Sequence, residues 1–166
     1  SSVTSYDASF AKLADEAGID IILVGDSLGE VVKGMRNTHS VTIDDICYHT
    51  ENVSRGIKSA YLISDMPKNS FNTKRQALHN AHKITKKGMA DMVKIESTPE
   101  QIDIIRHLII NNIRVCGHIG IQPQKIANKK SYRKVGADAI ESEGLLNEAL
   151  ILQEAGVQLI VAECIH

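Results

Sequence analysis

Apolar residues in this chain gather into short β-branched runs. Each run follows a stretch of helical spacing closed by Gly or Asn, and each ends in a polar residue. Ile21-Ile22-Leu23-Val24 leads into Gly25-Asp26, and Leu159-Ile160-Val161-Ala162 leads into Glu163. Their lead-ins, Glu16-Ala17-Gly18-Ile19-Asp20 and Glu154-Ala155-Gly156-Val157-Gln158, follow one template. Between them, 60–65 follows Gly56, 91–96 follows Gly88, and 113–118 follows Asn111-Asn112. With an opening strand over 3–7, the pattern predicts six strands, separated by helices near 7–17, 42–55, 73–87, 98–110 and 141–155. Thr42 with Asp45 three residues on, and Thr98-Pro99-Glu100, supply helix starts.

Strands that alternate with helices form a parallel sheet, and near-continuous apolar strands imply that both its faces are covered. A doubly wound sheet would collect ligand residues at one switch point, whereas a closed barrel collects them from the end of nearly every strand. Here the strand ends carry Asp7, Asp26 with Ser27, Asp65, Lys94 with Glu96, His118 and Glu163. The expectation is therefore one catalytic domain of the (β/α)8 TIM-barrel class with six of eight βα units present. A full barrel takes about 250 residues, so two further units are expected after His166. Residues are also expected upstream of Val3.

Composition narrows the partner class. At 166 residues and 43% hydrophobic content, a single substantial core is expected. A net charge of −1 provides no global field for nucleic acid or anionic lipid, which leaves a small molecule as the expected partner. No apolar run is long enough to span a bilayer, and no signal segment opens the chain. Cys47, Cys116 and Cys164 lack CxxC spacing and sit in or beside apolar runs; they are read as reduced core residues of a cytosolic protein.

Asp26 and Asp65, at the ends of neighbouring strands, supply the one or two carboxylates that Mg²⁺ commonly takes, with Glu96 beside them. Either aspartate alone also reads as a turn or cap residue. Lys94 and Glu96 have one residue between them and so face the same side of their strand. They read as a salt bridge or, functionally, as a cation for an anionic substrate oxygen and an acid for a metal-bound water. His118 follows Gly117 at a strand terminus, open to a substrate. Partial burial of Glu163 would raise its pKa toward that of a general base. His39, His49, His79, His82 and His107 are assigned to solvated surfaces. The long connection containing Lys125 to Lys134 reads as a solvated loop or as a lid for an anionic cosubstrate.

Taken together, Thr4-Ser5-Tyr6-Asp7, Leu23-Val24-Gly25-Asp26-Ser27-Leu28-Gly29, Val41-Thr42 with Tyr48-His49-Thr50, Ser64-Asp65-Met66-Pro67, Met92-Val93-Lys94-Ile95-Glu96, Val115-Cys116-Gly117-His118-Ile119-Gly120 and Ala162-Glu163-Cys164 resemble the 3-methyl-2-oxobutanoate (ketopantoate) hydroxymethyltransferase family over essentially the whole chain. The resemblance implies Mg²⁺-dependent transfer of a one-carbon unit from 5,10-methylenetetrahydrofolate to 3-methyl-2-oxobutanoate, giving 2-dehydropantoate, by a cytoplasmic homo-oligomer, decameric in the family. It implies metal binding by Asp26 and Asp65 with Glu96 near the ion. Substrate contacts fall on Asp26, Ser27, Asp65, Lys94 and His118, and the catalytic base on Glu163. Lys130-Ser131-Tyr132-Arg133-Lys134-Val135-Gly136-Ala137 stands where the family has a glycine-rich stretch with Gln and Arg. Lys68-Asn69-Ser70 replaces a more apolar segment.

Three other readings use the same residues. Gly25-Asp26-Ser27-Leu28 spells the signature of GDSL ester hydrolases, with Ser27 as nucleophile and Glu163 and His166 as partners, although no Gly-x-Asn block accompanies it. Lys94 could form a Schiff base, against the charge-stabilising effect of its acidic neighbours. The chain could also be a non-catalytic barrel subunit, since fold alone does not imply activity.

Overall fold

The computed structural model describes residues 1–126 and 132–166, so the basic run at 129–131 lies outside the described residues. Six strands form one parallel sheet: β1 (Ser2–Thr4), β2 (Ile21–Val24), β3 (Tyr61–Asp65), β4 (Met92–Ile95), β5 (Val115–Gly120) and β6 (Leu159–Glu163). They lie side by side in chain order. Such an order has no reversal, which removes the doubly wound alternative.

The helices are α1 (Ala8–Glu16), α2 (Leu28–Val31), α3 (Ile43–Gly56), α4 (Lys74–Lys86), α5 (Ile102–Ile110) and α6 (Ala139–Glu154). Their starts follow local chemistry. The Thr42 side chain accepts from the Asp45 amide while the Asp45 carboxylate accepts from the Thr42 amide, a reciprocal cap on α3. On α3, Ile46, Cys47, Thr50 and Val53 form the buried stripe.

Three expectations need correction. The helix expected over 98–110 begins as a 3-10 turn at Pro99–Gln101, with the proline at its opening position, where a missing amide costs no helical bond. The one-turn helix α2 was not expected. The opening strand stops at Thr4, and Asp7 does not reach a strand end facing a site: its carboxylate accepts from the Ser9 and Phe10 amides and caps α1.

Alternation along the strands divides the sheet into two faces. Ile22, Val24, Leu62, Val93, Ile95, Val115 and Ile119 pack outward with helix residues such as Ala11, Ile46, Ala81, Ile105 and Leu152 in the main core. Ile63, Met92 and Cys116 face the other way and pack with Ile21, Leu23, Tyr61, Leu159 and Val161 in a second, smaller cluster. A cavity of about 180 Å³ on that inner side is lined from both ends of the sheet, by Ser2 of β1 and by Leu159 and Val161 of β6. The sheet therefore curls into a partial barrel with its helices outside. At the upper rim of the inner face, the alternation replaces apolar side chains with Asp65, Lys94, His118 and Glu163.

Ile22 is fully buried on the helix-covered face. Its replacement, Ile22→Ala, should cost about 2–5 kcal/mol in a urea melt, through lost transfer energy and a residual cavity. Leu159→Ala, half-buried on the inner face, should cost less; an equal or larger loss would contradict this division of the core.

Candidate active site

The site begins where β2 ends. The backbone turns at Gly25, where a Cβ would stand 2.7 Å from Ser27 Oγ and 3.5 Å from Asp65 Oδ2. Only glycine leaves that space, and the Asp26 amide can then donate to Asp65 Oδ2 at 2.8 Å. Ser27 opens α2, and its Oγ shares a 2.8 Å hydrogen bond with the hydroxyl of Tyr6. Tyr6 is held from behind, since its carbonyl lies 2.7 Å from His49 Nδ1. The assignment of His49 to a solvated surface is thus corrected: the ring is half-buried and ties α3 to the segment after β1.

On β3 and β4 the register sets Asp65 opposite Lys94. Lys94 Nζ lies 2.5 Å from Asp65 Oδ1 and 3.7 Å from Glu96 Oε1, and all three side chains are almost completely buried. Burial alone would push the Lys94 ammonium toward neutrality, but Asp65 and Glu96 outweigh it and raise its pKa above the ordinary lysine value. Lys94 is a fixed cation, the opposite of what a Schiff-base lysine requires.

His118 from β5 is also buried, with Nδ1 3.6 Å from Glu96 and Nε2 3.6 Å from Glu163 of β6. Neither nitrogen has a hydrogen-bond partner among the described residues. Burial, reinforced by the Lys94 charge, pulls its pKa down to about 3, so the ring is neutral at physiological pH. Glu163 is raised above the ordinary glutamate value, chiefly by burial, as its place at the strand end suggested.

Of the strand-end residues singled out in the sequence, Asp26, Ser27, Asp65, Lys94, Glu96, His118 and Glu163 line one cavity of about 580 Å³, and Asp7 does not. Leu23 and Val161 provide apolar wall, and Tyr132 enters from the connection after β5. Burial and four neighbouring acids push the Tyr132 phenol up to about 12. Sequence reasoning missed Tyr6 and Gln124, neither of which stands at a strand end. Gln124 donates from Nε2 to Asp26 Oδ2 at 2.9 Å. The three cysteines divide: Cys47 and Cys116 are buried, but Cys164 is exposed, contrary to expectation. The chain leaves β6 there through left-handed backbone, at φ 54°, and carries the side chain out of the core.

Five carboxylates, Asp26, Glu30, Asp65, Glu96 and Glu163, thus line the cavity with one lysine. Burial, then the charge of Asp65, pushes Asp26 up to about 8, and burial pushes Glu96 up to about 7. A site this short of positive charge, with oxygen donors on adjacent strands, fits a hard divalent cation. Among the described residues no three His, Cys, Asp or Glu side chains form a ready-made metal cage. A Mg²⁺ ion that takes one or two carboxylates and fills its shell with water and substrate needs none.

The family model for ketopantoate hydroxymethyltransferase matches residues 1–166. The chain belongs to that family. It is 44% identical over 163 residues to 3-methyl-2-oxobutanoate hydroxymethyltransferase of Nitrosococcus oceani, covering 98% of this chain and 62% of the relative. It is 46% identical over 164 residues to the enzyme of the same name from Alteromonas mediterranea, covering 99% and 62%. The chain therefore spans about 62% of the length of these family members. Among solved structures, it resembles a phosphonopyruvate hydrolase complex with oxalate and Mg²⁺, with TM-score 0.74 and 12% identity over 98% of this chain and 57% of the other. It also resembles 2,3-dimethylmalate lyase, a member of the PEP mutase/isocitrate lyase superfamily, with TM-score 0.69 and 16% identity over 98% and 57%. At such identities the likeness speaks for the fold. Family membership leaves the ester-hydrolase reading without support, and Ser27 Oγ, bonded to a tyrosine, has no histidine partner among the described residues.

In the folded, cation-free protein, Asp26 and Glu96 hold protons that the unfolded chain releases near pH 4. Their contribution to stability is complete below about pH 4 and is lost as the pH rises through about 7 to 8. Melts in EDTA should accordingly show Tm falling between about pH 5 and 8, with a shallower fall in Asp26→Asn. A wild-type Tm with no such decline would contradict the shifts.

Proposed function

We infer that the protein transfers a hydroxymethyl group from 5,10-methylenetetrahydrofolate to 3-methyl-2-oxobutanoate, giving 2-dehydropantoate, with Mg²⁺ in the site. The observation that carries this reading is the convergence of acids, one fixed lysine and a neutral histidine on one cavity, in a chain of this family. The reading includes a completed (β/α)8 barrel, a cytoplasmic location and a homo-oligomer, decameric as the family resemblance implies. No described helix is long and apolar enough to cross a membrane.

Asp26 and Asp65 would hold the cation, with Glu96 beside them acting directly or through a water. When bound, Mg²⁺ polarises the keto group of a 2-oxo acid and stabilises negative charge developing next to it. The remaining steps belong to side chains. Lys94 carries positive charge at the cavity floor and meets the substrate carboxylate. Ser27, oriented by Tyr6, donates a hydrogen bond to a substrate oxygen. His118, neutral and buried, contacts the keto acid without adding charge.

Glu163, half-buried with its pKa raised, removes the proton from C3 as a general base. The electron pair left on the substrate attacks the methylene carbon of the folate as its bond to one folate nitrogen breaks. The bond to the second nitrogen then breaks, water supplies the hydroxyl of the product, and the two nitrogens take up the proton removed from C3 and the one released by water. Leu23 and Val161 provide an apolar wall for the branched alkyl group.

The first half of this sequence can be followed without folate. In D₂O with Mg²⁺, the C3 proton signal of 3-methyl-2-oxobutanoate should disappear from the NMR spectrum, and omission of Mg²⁺ should stop its loss. Asp26→Asn should abolish exchange, and Glu163→Gln should slow it about 10²–10⁴-fold. Equal exchange with and without the cation, or full exchange in Glu163→Gln, would sink the reading.

A further inference from the structure

The connection after β5 sends one side chain back across the mouth of the barrel. Gln124 lies in a 3-10 turn at Pro123–Lys125 and is 4% exposed. Its Nε2 donates to Asp26 Oδ2 and to the carbonyl of Met66, each at 2.9 Å. Its backbone amide donates to Glu96 Oε2, also at 2.9 Å. A residue that follows β5 therefore touches the ends of β2, β3 and β4 together, and both hydrogens of its amide group are used.

The turn is fixed in place by backbone. Gly120 adopts φ 91°, and a Cβ there would stand 2.1 Å from the Glu163 carbonyl. The Ile121 amide donates to that same carbonyl at 3.0 Å. Gln122 Nε2 donates to the His118 carbonyl at 2.7 Å, and Lys125 Nζ to the Ser97 carbonyl at 3.0 Å. These bonds hold Gln124 over the acids before any ligand arrives.

Asp26 and Glu96 are buried beside Asp65. Gln124 engages one oxygen of Asp26 through its amide group and one of Glu96 through its backbone, which fixes the direction of both side chains. We propose that Gln124 is a positioning residue that sets the Asp26 and Glu96 carboxylates for a divalent cation. The proposal rests on the reading of Asp26 as a cation ligand. Partners one step removed from a metal typically change affinity by about 10–100-fold when lost.

Mn²⁺ binding, followed by electron paramagnetic resonance of the free ion, separates the proposal from the reading beneath it. Wild type should bind Mn²⁺ and Asp26→Asn should not; failure there would overturn the cation reading itself. Gln124→Met keeps the length of the side chain and the backbone amide but loses both side-chain donors. It should bind Mn²⁺ about tenfold or more weakly while still unfolding in one cooperative transition, and excess Mg²⁺ should restore the rate of C3 proton exchange. That recovery would not follow from a merely structural defect. Gln124→Leu, which also lacks both side-chain donors and adds no charge, should bind weakly too, which decides the matter if Gln124→Met unfolds. Wild-type Mn²⁺ affinity in either folded variant would overturn the proposal.

Discussion

The contact on which this site depends is the buried ion pair of Lys94 with Asp65. Removing two charges from water is costly, and their mutual attraction repays it only when the geometry is close and the remaining lone pairs are satisfied. Both conditions hold here. Asp65 gives one oxygen to Lys94 and the other to the Asp26 amide, so a single carboxylate joins the ends of three strands. Loss of Lys94 would leave five acids around one cavity with no compensating charge among its described lining residues. The geometry of the mouth and the protonation of its acids therefore have one origin.

That pair also explains how a crowded set of acids remains ordered. Asp65 is held from inside by Lys94, and Asp26 and Glu96 from above by Gln124 in the turn after β5. His118 occupies the space between two glutamates without adding charge. A neutral ring suits that position, because a second buried cation would compete for the same acids.

Much of this was legible in the sequence, and the reasons are physical. Strand ends were visible because a β-branched run can end in a charged residue only where the sheet meets solvent or a ligand. The facing of Lys94 and Glu96 followed from the two-residue period of a strand, and the adjacency of Asp26 and Asp65 from the repeat order. Asp7 was misread because the same signal, an acid after an apolar run, also marks a helix cap; only the backbone conformation separates the two. Tyr6 and Gln124 were missed because their roles depend on contacts across 21 and 98 positions of chain. No periodicity encodes such contacts. Cys164 illustrates a related failure, since its exposure follows from one left-handed residue and not from the apolar run before it.

The alternation of the strands separates two kinds of evolutionary freedom. Every second strand residue meets the helices and determines whether the chain folds, while its immediate neighbours meet only the barrel interior. Ile22 and Leu23, or Ile160 and Val161, can therefore answer to different selective pressures although each pair is adjacent in the chain. A lineage can alter the inner letters, and with them the shape and charge presented to a substrate, while leaving the outer letters untouched. Solved structures with only 12–16% identity retain this architecture, as expected where chemistry can drift at every second position of a preserved scaffold.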